Sequence, residues 1–123
     1  MQQRPPGDRD DRYAEFPPGF FRRSDPSDDA VFYAPPRLVT HIDDGAIAAV
    51  GELYAGLGLA GQVLDVMSSW ISHFRSAPDR LVALGRNATE LRANHQAKGA
   101  LVADLNRRPA LPFRDASFDS AVC

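Results

Sequence analysis

The middle of the chain changes from helical spacing to short apolar runs. Between Thr40 and Leu57, apolar residues recur at steps of three and four, which predicts an amphipathic helix over 40–57. Thr40 is the expected N-cap, and Asp43 and Asp44 lie in the first turn, where negative charge suits the helix dipole. The apolar stripe consists of Ile42, Ala46, Ile47, Val50, Leu53, Tyr54 and Leu57.

After Gly61, short apolar runs alternate with polar segments. The runs predict strands over 63–67, 81–84, 101–103 and 118–123. A short helix is expected over 88–94, with Asn87 as its N-cap. Strands that read as continuous apolar runs and alternate with helices are typical of a parallel sheet buried on both faces. We therefore expect an α/β fold.

The chain divides into three parts that differ in composition and in the spacing of apolar residues. Residues 1–31 are Pro-rich and lack helical or alternating periodicity, which predicts a partly disordered N-terminal arm whose aromatic cluster docks on the core. Residues 32–60 form a capping segment and the amphipathic helix, and residues 61–123 form the α/β unit. The aromatic cluster of the arm consists of Phe16, Phe20 and Phe21.

Composition narrows the function classes. The chain has 14 Lys and Arg against 16 Asp and Glu, a formal net charge of −2, which argues against nucleic acid or an anionic membrane as a partner. No apolar run approaches the roughly 20 residues of a membrane span, and no signal peptide is visible, so we expect a cytoplasmic protein. The single cysteine, Cys123, excludes an internal disulfide, and no cluster of metal ligands is present.

Polar residues follow each predicted strand. In doubly wound sheets, ligands bind at the carboxyl ends of the strands, so these positions are the candidate site. Asp65 lies within the first run, and Asp104 directly follows the third. Each carboxylate is suited to accept hydrogen bonds from a ligand. The competing interpretation is that Asp65 caps backbone N–H groups and that Asp104 caps a turn.

Two stretches carry a family resemblance. Residues 61–66 read Gly-Gln-Val-Leu-Asp-Val, and residues 111–122 read Leu-Pro-Phe-Arg-Asp-Ala-Ser-Phe-Asp-Ser-Ala-Val. Over about 59–123 the chain resembles the class I S-adenosylmethionine-dependent methyltransferases, in particular the branch called methyltransferase type 11. The resemblance implies a Rossmann-like class I methyltransferase fold, of which this chain holds the N-terminal half only. We therefore expect the domain to be truncated after its fourth strand.

The resemblance also implies roles for individual residues. Asp65 stands where the family's first acidic residue approaches the methionine end of S-adenosylmethionine. Asp104 stands where an acid or amide contacts adenine, and Leu105 packs beside that ring. Leu111 and Phe113 are expected to pack inward and support the cleft.

The sequence departs from the family at two places. The first turn, residues 67–73, contains no glycine, and Ser68 and Ser69 are left as the donors beside the cofactor. The second strand is followed by Gly-Arg-Asn over 85–87, which supplies no ribose-binding carboxylate. Asn87 then either accepts a ribose hydrogen bond or only caps the next helix.

The methyl acceptor has its own candidate residues. His41 and His73 are candidate general bases, because an unperturbed imidazole titrates near neutral pH. Tyr33 and Arg37 are candidate substrate contacts, with Arg37 suited to an anionic group. The competing interpretation is a surface histidine in the first case and a plain salt bridge in the second.

Two functions from different classes follow. One is methyl transfer from S-adenosylmethionine to a small-molecule acceptor. The other is a non-catalytic methyltransferase-like protein whose cofactor site has degenerated and which serves as an interaction module. A dinucleotide-dependent oxidoreductase is a weaker third, since it requires a Gly-rich first turn and an acid after the second strand. The sequence does not set the oligomeric state.

Overall fold

A computed structural model describes residues 15–20, 22, 24 and 27–123. The expected disorder of the first dozen residues, and Phe21 of the aromatic cluster, lie outside this set. The predicted strands and both predicted helices are present, with shifted ends. In chain order the elements are α1 (Asp29–Phe32), α2 (Asp44–Gly56), β1 (Gln62–Ser68), β2 (Arg80–Gly85), α3 (Ala88–Arg92), β3 (Gly99–Val102) and β4 (Ser120–Val122).

The strands form one four-stranded sheet in the order β3-β2-β1-β4, and every pairing is parallel. Val63 on β1 pairs with Leu81 on β2 and with Ser120 on β4, which places β1 and β2 at the centre. Parallel pairing requires a crossover between successive strands, and α3 lies within the one that joins β2 to β3. The predicted parallel α/β architecture is confirmed.

Burial is concentrated in the two central strands. On one face, Val63 and Leu81 pack with Phe74, and on the other Leu64 packs with Val82 and Leu84. The expectation that all strands are buried on both faces is wrong for β3 and β4. All residues of these outer strands are exposed or half-buried, because each strand has a neighbouring strand on one side only among the described residues.

The segment before β4 covers one face of the sheet. Phe113 and Phe118 pack edge to face with ring centroids 5.0 Å apart, against the cluster that contains Leu64. The expected inward packing of Phe113 is therefore confirmed. Leu111 is 46% exposed, so its expected inward packing is wrong. At the start of the same strand, Asp119 Oδ2 accepts a hydrogen bond from the Gln62 backbone N–H (2.8 Å), which ties β4 to β1.

Helix α2 begins later than its apolar spacing predicts. Asp43, not Thr40, is its N-cap, and the Asp43 carboxylate accepts a hydrogen bond from the Ala46 backbone N–H at 2.8 Å. Only part of the predicted apolar stripe of α2 packs on the core. Tyr54 packs on Phe74 with 4.7 Å between ring centroids, whereas Leu53 is 56% exposed. The start of the helix is thus decided by the residue that satisfies its free N–H groups.

The described part of the N-terminal arm keeps its aromatic side chains together. The rings of Phe16 and Phe20 lie 4.7 Å apart, and these side chains are 39% and 58% exposed. Among the described residues, no helix combines the length and the apolar character needed to cross a membrane.

Candidate functional site

A cavity of about 330 Å³ lies at the carboxyl ends of β1, β2 and β3. Its size is within the range of small-molecule sites, and its place is where parallel α/β sheets bind ligands. The walls come from the segment before α2, from the ends of three strands and from α3. The lining residues are Tyr33, His41, Met67, Ser68, Ser69, Leu84, Gly85, Arg86, Asn87, Glu90, Ala103, Asp104, Leu105 and Asn106.

The end of β1 has a backbone conformation that usually requires glycine, although no glycine is present there. Met67 adopts a left-handed backbone conformation (φ 56°), and the pairing of β1 with β2 is irregular between Asp65 and Ser68. A side chain in this conformation is strained, which is common where a backbone is shaped for a ligand. The Met67 side chain is 74% exposed at the edge of the cavity. Ser68 and Ser69 follow it and line the wall.

Asp65 stands behind this turn rather than in the wall of the cavity. Its Oδ2 accepts hydrogen bonds from the hydroxyls of Ser68 (2.8 Å) and Ser72 (2.5 Å). Burial raises the pKa of the Asp65 carboxyl, and the hydrogen bonds from Ser72 and Ser68 and the charge of His73 oppose that rise. In the described structure Asp65 therefore braces the turn.

A buried amide extends the same network. Asn94 donates through Nδ2 to the Ser72 hydroxyl (2.9 Å) and to the Ser69 carbonyl oxygen (3.1 Å). The turn is thus held from β1 by Asp65 and from the far side by Asn94. Sequence reasoning missed Asn94, because its partners lie more than 20 residues earlier in the chain.

The residues after β2 and β3 are joined by an ion pair. Arg86 Nη1 lies 2.9 Å from Asp104 Oδ2, and both side chains are mostly buried. The other oxygen of Asp104 accepts hydrogen bonds from the backbone N–H groups of Asn106 (3.0 Å) and Arg107 (3.3 Å). Asp104 is therefore a turn cap, the competing interpretation, while it also lines the cavity beside Leu105.

Helix α3 brings a carboxylate that sequence reasoning missed. Glu90 lies in its first turn and lines the cavity, so an acid is present near the end of β2 after all. The signal was available in the spacing: an acid three residues after the N-cap Asn87 is the pattern of a capping box, which fixes that side chain in the first turn.

Asn87 uses both ends of its amide within the protein. Its Oδ1 accepts hydrogen bonds from the backbone N–H groups of Thr89 (3.0 Å) and Glu90 (3.1 Å), which confirms the predicted cap. Its Nδ2 donates to the carbonyl oxygens of Tyr33 (3.2 Å) and Ala34 (3.0 Å). Asn87 lines the cavity, but its polar atoms are already paired with backbone.

The acceptor-side candidates lie in three places. Tyr33 and His41 line the cavity. Arg37 stacks on the Phe32 ring at 4.2 Å from its centroid, which fixes its guanidinium on the segment before α2. His73 lines a separate cavity of about 500 Å³ beside Phe74, where its Nδ1 is buried without a hydrogen-bond partner among the described residues.

Comparisons of the chain with protein-family models, with curated proteins and with solved structures find no match.

The residues that line the cavity determine which kinds of ligand it suits. Ser69 offers a hydroxyl donor, since the Ser68 hydroxyl already donates to Asp65. Glu90 and Asp104 offer acceptor oxygens, and Leu105 adds an apolar surface. Such a mixture suits a ligand with a flat apolar ring and several polar groups, as in a nucleoside.

Proposed function

We propose that this chain belongs to a methyltransferase domain of the Rossmann-like class I fold, which binds S-adenosylmethionine and transfers a methyl group to a small molecule. The observation that carries the proposal is the place of the cavity. It lies at the carboxyl ends of neighbouring parallel strands in the order β3-β2-β1-β4. Five of the six residues that the family resemblance and the strand ends single out for the cofactor line it: Ser68, Ser69, Asn87, Asp104 and Leu105.

The residues present fit an adenosine-based cofactor. Glu90 lines the cavity and supplies the carboxylate that the sequence lacks directly after β2. In the proposed complex it accepts hydrogen bonds from the ribose hydroxyls. Leu105, which is half-buried, gives apolar surface for a purine ring. Met67 and Ser68 form the wall nearest the end of β1, where the methionine portion is expected.

The chain contributes mainly by positioning in this reaction. When bound, S-adenosylmethionine would supply an electrophilic methyl carbon and a neutral thioether as the leaving group. The protein would hold donor and acceptor close and in line, which lowers the entropic part of the barrier. His41 lines the cavity and is placed to take the acceptor's proton where the acceptor must lose one.

One observation favours the second candidate function, an interaction module with a degenerate cofactor site. The Arg86 ion pair occupies an oxygen of Asp104, and the turn backbone occupies the other. An adenine amino group would have to share that carboxylate with Arg86. If the Arg86–Asp104 ion pair persists when S-adenosylhomocysteine is added, Asp104 does not bind adenine. That result would favour a domain that keeps the fold but has lost its cofactor.

Titration with S-adenosylhomocysteine tests the proposal. We expect isothermal calorimetry to show micromolar binding, and Glu90→Gln to weaken it about tenfold, since the ribose hydroxyls would then donate to a neutral amide oxygen in place of a carboxylate. Glu52→Gln is the matched control, because Glu52 is exposed on α2 outside the cavity lining. The absence of any heat or thermal shift at millimolar ligand would refute the methyltransferase proposal and leave the interaction module.

A further inference from the structure

One wall of the cavity belongs to a segment that is not held by burial. Residues 33–42, termed the strap here, run between α1 and α2 and supply Tyr33 and His41 to the cavity. No side chain of the strap is buried, and Leu38 and Val39 are more than half exposed. Since buried apolar contacts do not fix the strap, hydrogen bonds from the rest of the domain become important for its position.

The first anchor is Asn87, at the junction of β2 and α3. Its Nδ2 lies 3.2 Å and 3.0 Å from the carbonyl oxygens of Tyr33 and Ala34. Asn87 is only 9% exposed, and its Oδ1 is fixed by its role as N-cap of α3. The amide is therefore pre-oriented, and its donor side can face only the strap backbone.

The second anchor is Trp70, in the turn after β1. Its indole Nε1 donates to the Val39 carbonyl oxygen at 3.0 Å. The two anchors hold the strap at both ends of the span that separates Tyr33 from His41. They also come from the two segments, after β1 and after β2, that form the floor of the cavity.

We propose that Asn87 and Trp70 are positioning residues, which hold the strap against the sheet and so place Tyr33 and His41 at the ligand. Asn87 thereby acts on the site through the strap backbone rather than by binding ribose itself. Release of these three hydrogen bonds opens the cavity, and a bound ligand closes it. The statements about ligand rest on the proposed methyltransferase function, whereas those about the strap do not.

Asn87→Asp isolates the anchor from the cap. Aspartate keeps an oxygen for the N–H groups of Thr89 and Glu90 and is an equally good N-cap. It loses the N–H donors and turns a carboxylate toward two carbonyl oxygens. Thr89→Asp is the matched control, because it adds the same charge in the same helical turn on an exposed side chain.

Two readouts follow the strap directly. Trp70 is the single tryptophan of the chain, so its fluorescence reports the strap contact without interference. Trypsin cleavage after Arg37, quantified by mass spectrometry relative to cleavage after Arg114 in the same digest, reports opening of the strap. We expect Asn87→Asp to shift the Trp70 emission to the red and to accelerate cleavage after Arg37 about tenfold, as two hydrogen bonds are lost.

The outcomes separate the two proposals. Wild-type emission and cleavage in Asn87→Asp, or equal changes in Thr89→Asp, would overturn the positioning role. With S-adenosylhomocysteine, we expect slower cleavage after Arg37 in the wild type and no such protection in Asn87→Asp. If the wild type binds no S-adenosylhomocysteine, the methyltransferase proposal fails, and the emission and cleavage contrast still decides the role of Asn87. Trp70→Phe, followed by cleavage alone, is expected to give a smaller acceleration in the same direction.

Discussion

The two walls of the cavity are built in opposite ways. One wall is formed by the end of β2, where Leu84 is 1% exposed and Gly85 is buried. The other wall is formed by the strap, in which Leu38 is 55% exposed. Apolar burial holds the first wall, and side-chain hydrogen bonds to backbone carbonyls hold the second. Burial of a leucine contributes a few kcal/mol, but a hydrogen bond contributes only about 1 kcal/mol net. The site thus pairs a fixed wall with one that opens at lower cost.

The largest expected effect lies in the core behind the sheet wall. Leu81 is fully buried between Val63 and Phe74, so Leu81→Ala leaves a cavity and should cost about 3 kcal/mol of unfolding free energy. Leu38→Ala in the strap should change it by less than about 0.5 kcal/mol. Urea unfolding measures both. Similar losses in the two variants would contradict the contrast between the walls.

A close backbone approach gives the next effect. A Cβ on Gly85 would collide with the Ser68 carbonyl oxygen and press on the Leu91 side chain, so Gly85→Ala should cost about 2 kcal/mol. Gly99→Ala on β3 is the matched control, since its Cβ would meet only the Val82 side chain at 3.7 Å, an ordinary contact. Thermal unfolding of the pair tests this, and a neutral Gly85→Ala would mean that β1 and β2 separate easily at the site.

The smallest expected change in unfolding free energy comes from backbone strain at Met67, in the wall formed by the sheet. Met67→Gly relieves the left-handed strain at φ 56° but adds freedom to the unfolded chain, so we expect a net gain of about 0.5 kcal/mol. Met67→Ala keeps the Cβ and should gain nothing. Ala116, at φ 59° in the loop before β4, offers a second case, and Ala116→Gly should show a similar small gain. Urea unfolding that ranks Met67→Ala above Met67→Gly would exclude strain as the cause.

The prediction of elements from sequence succeeded where the signal was local. The apolar runs around Leu64 and Leu81 place β1 and β2 to within a residue or two, because a central strand has both faces buried. Asn87 was recognised as a cap from its own neighbours. The start of α2 was wrong, since Thr40 and Asp43 are both acceptable caps and periodicity alone does not choose between them.

The position of the candidate site was predictable from the sequence, but the hydrogen bonds among its residues were not. Ser68, Ser69 and Leu105 were expected at the cavity because the carboxyl ends of parallel strands share one edge. Asp65 was expected to face the cofactor, and in the described structure it braces the turn through Ser68 and Ser72.

By itself, the sequence determined the parallel α/β architecture, the central strands and the edge of the sheet at which the cavity lies, because periodicity and caps are properties of neighbouring residues. The tertiary structure decided the rest. It placed Arg86 against Asp104, turned the donor side of Asn87 to the Tyr33 and Ala34 carbonyls, and brought Glu90 to the cavity. These arrangements depend on contacts between distant segments, whose pairing no local pattern specifies.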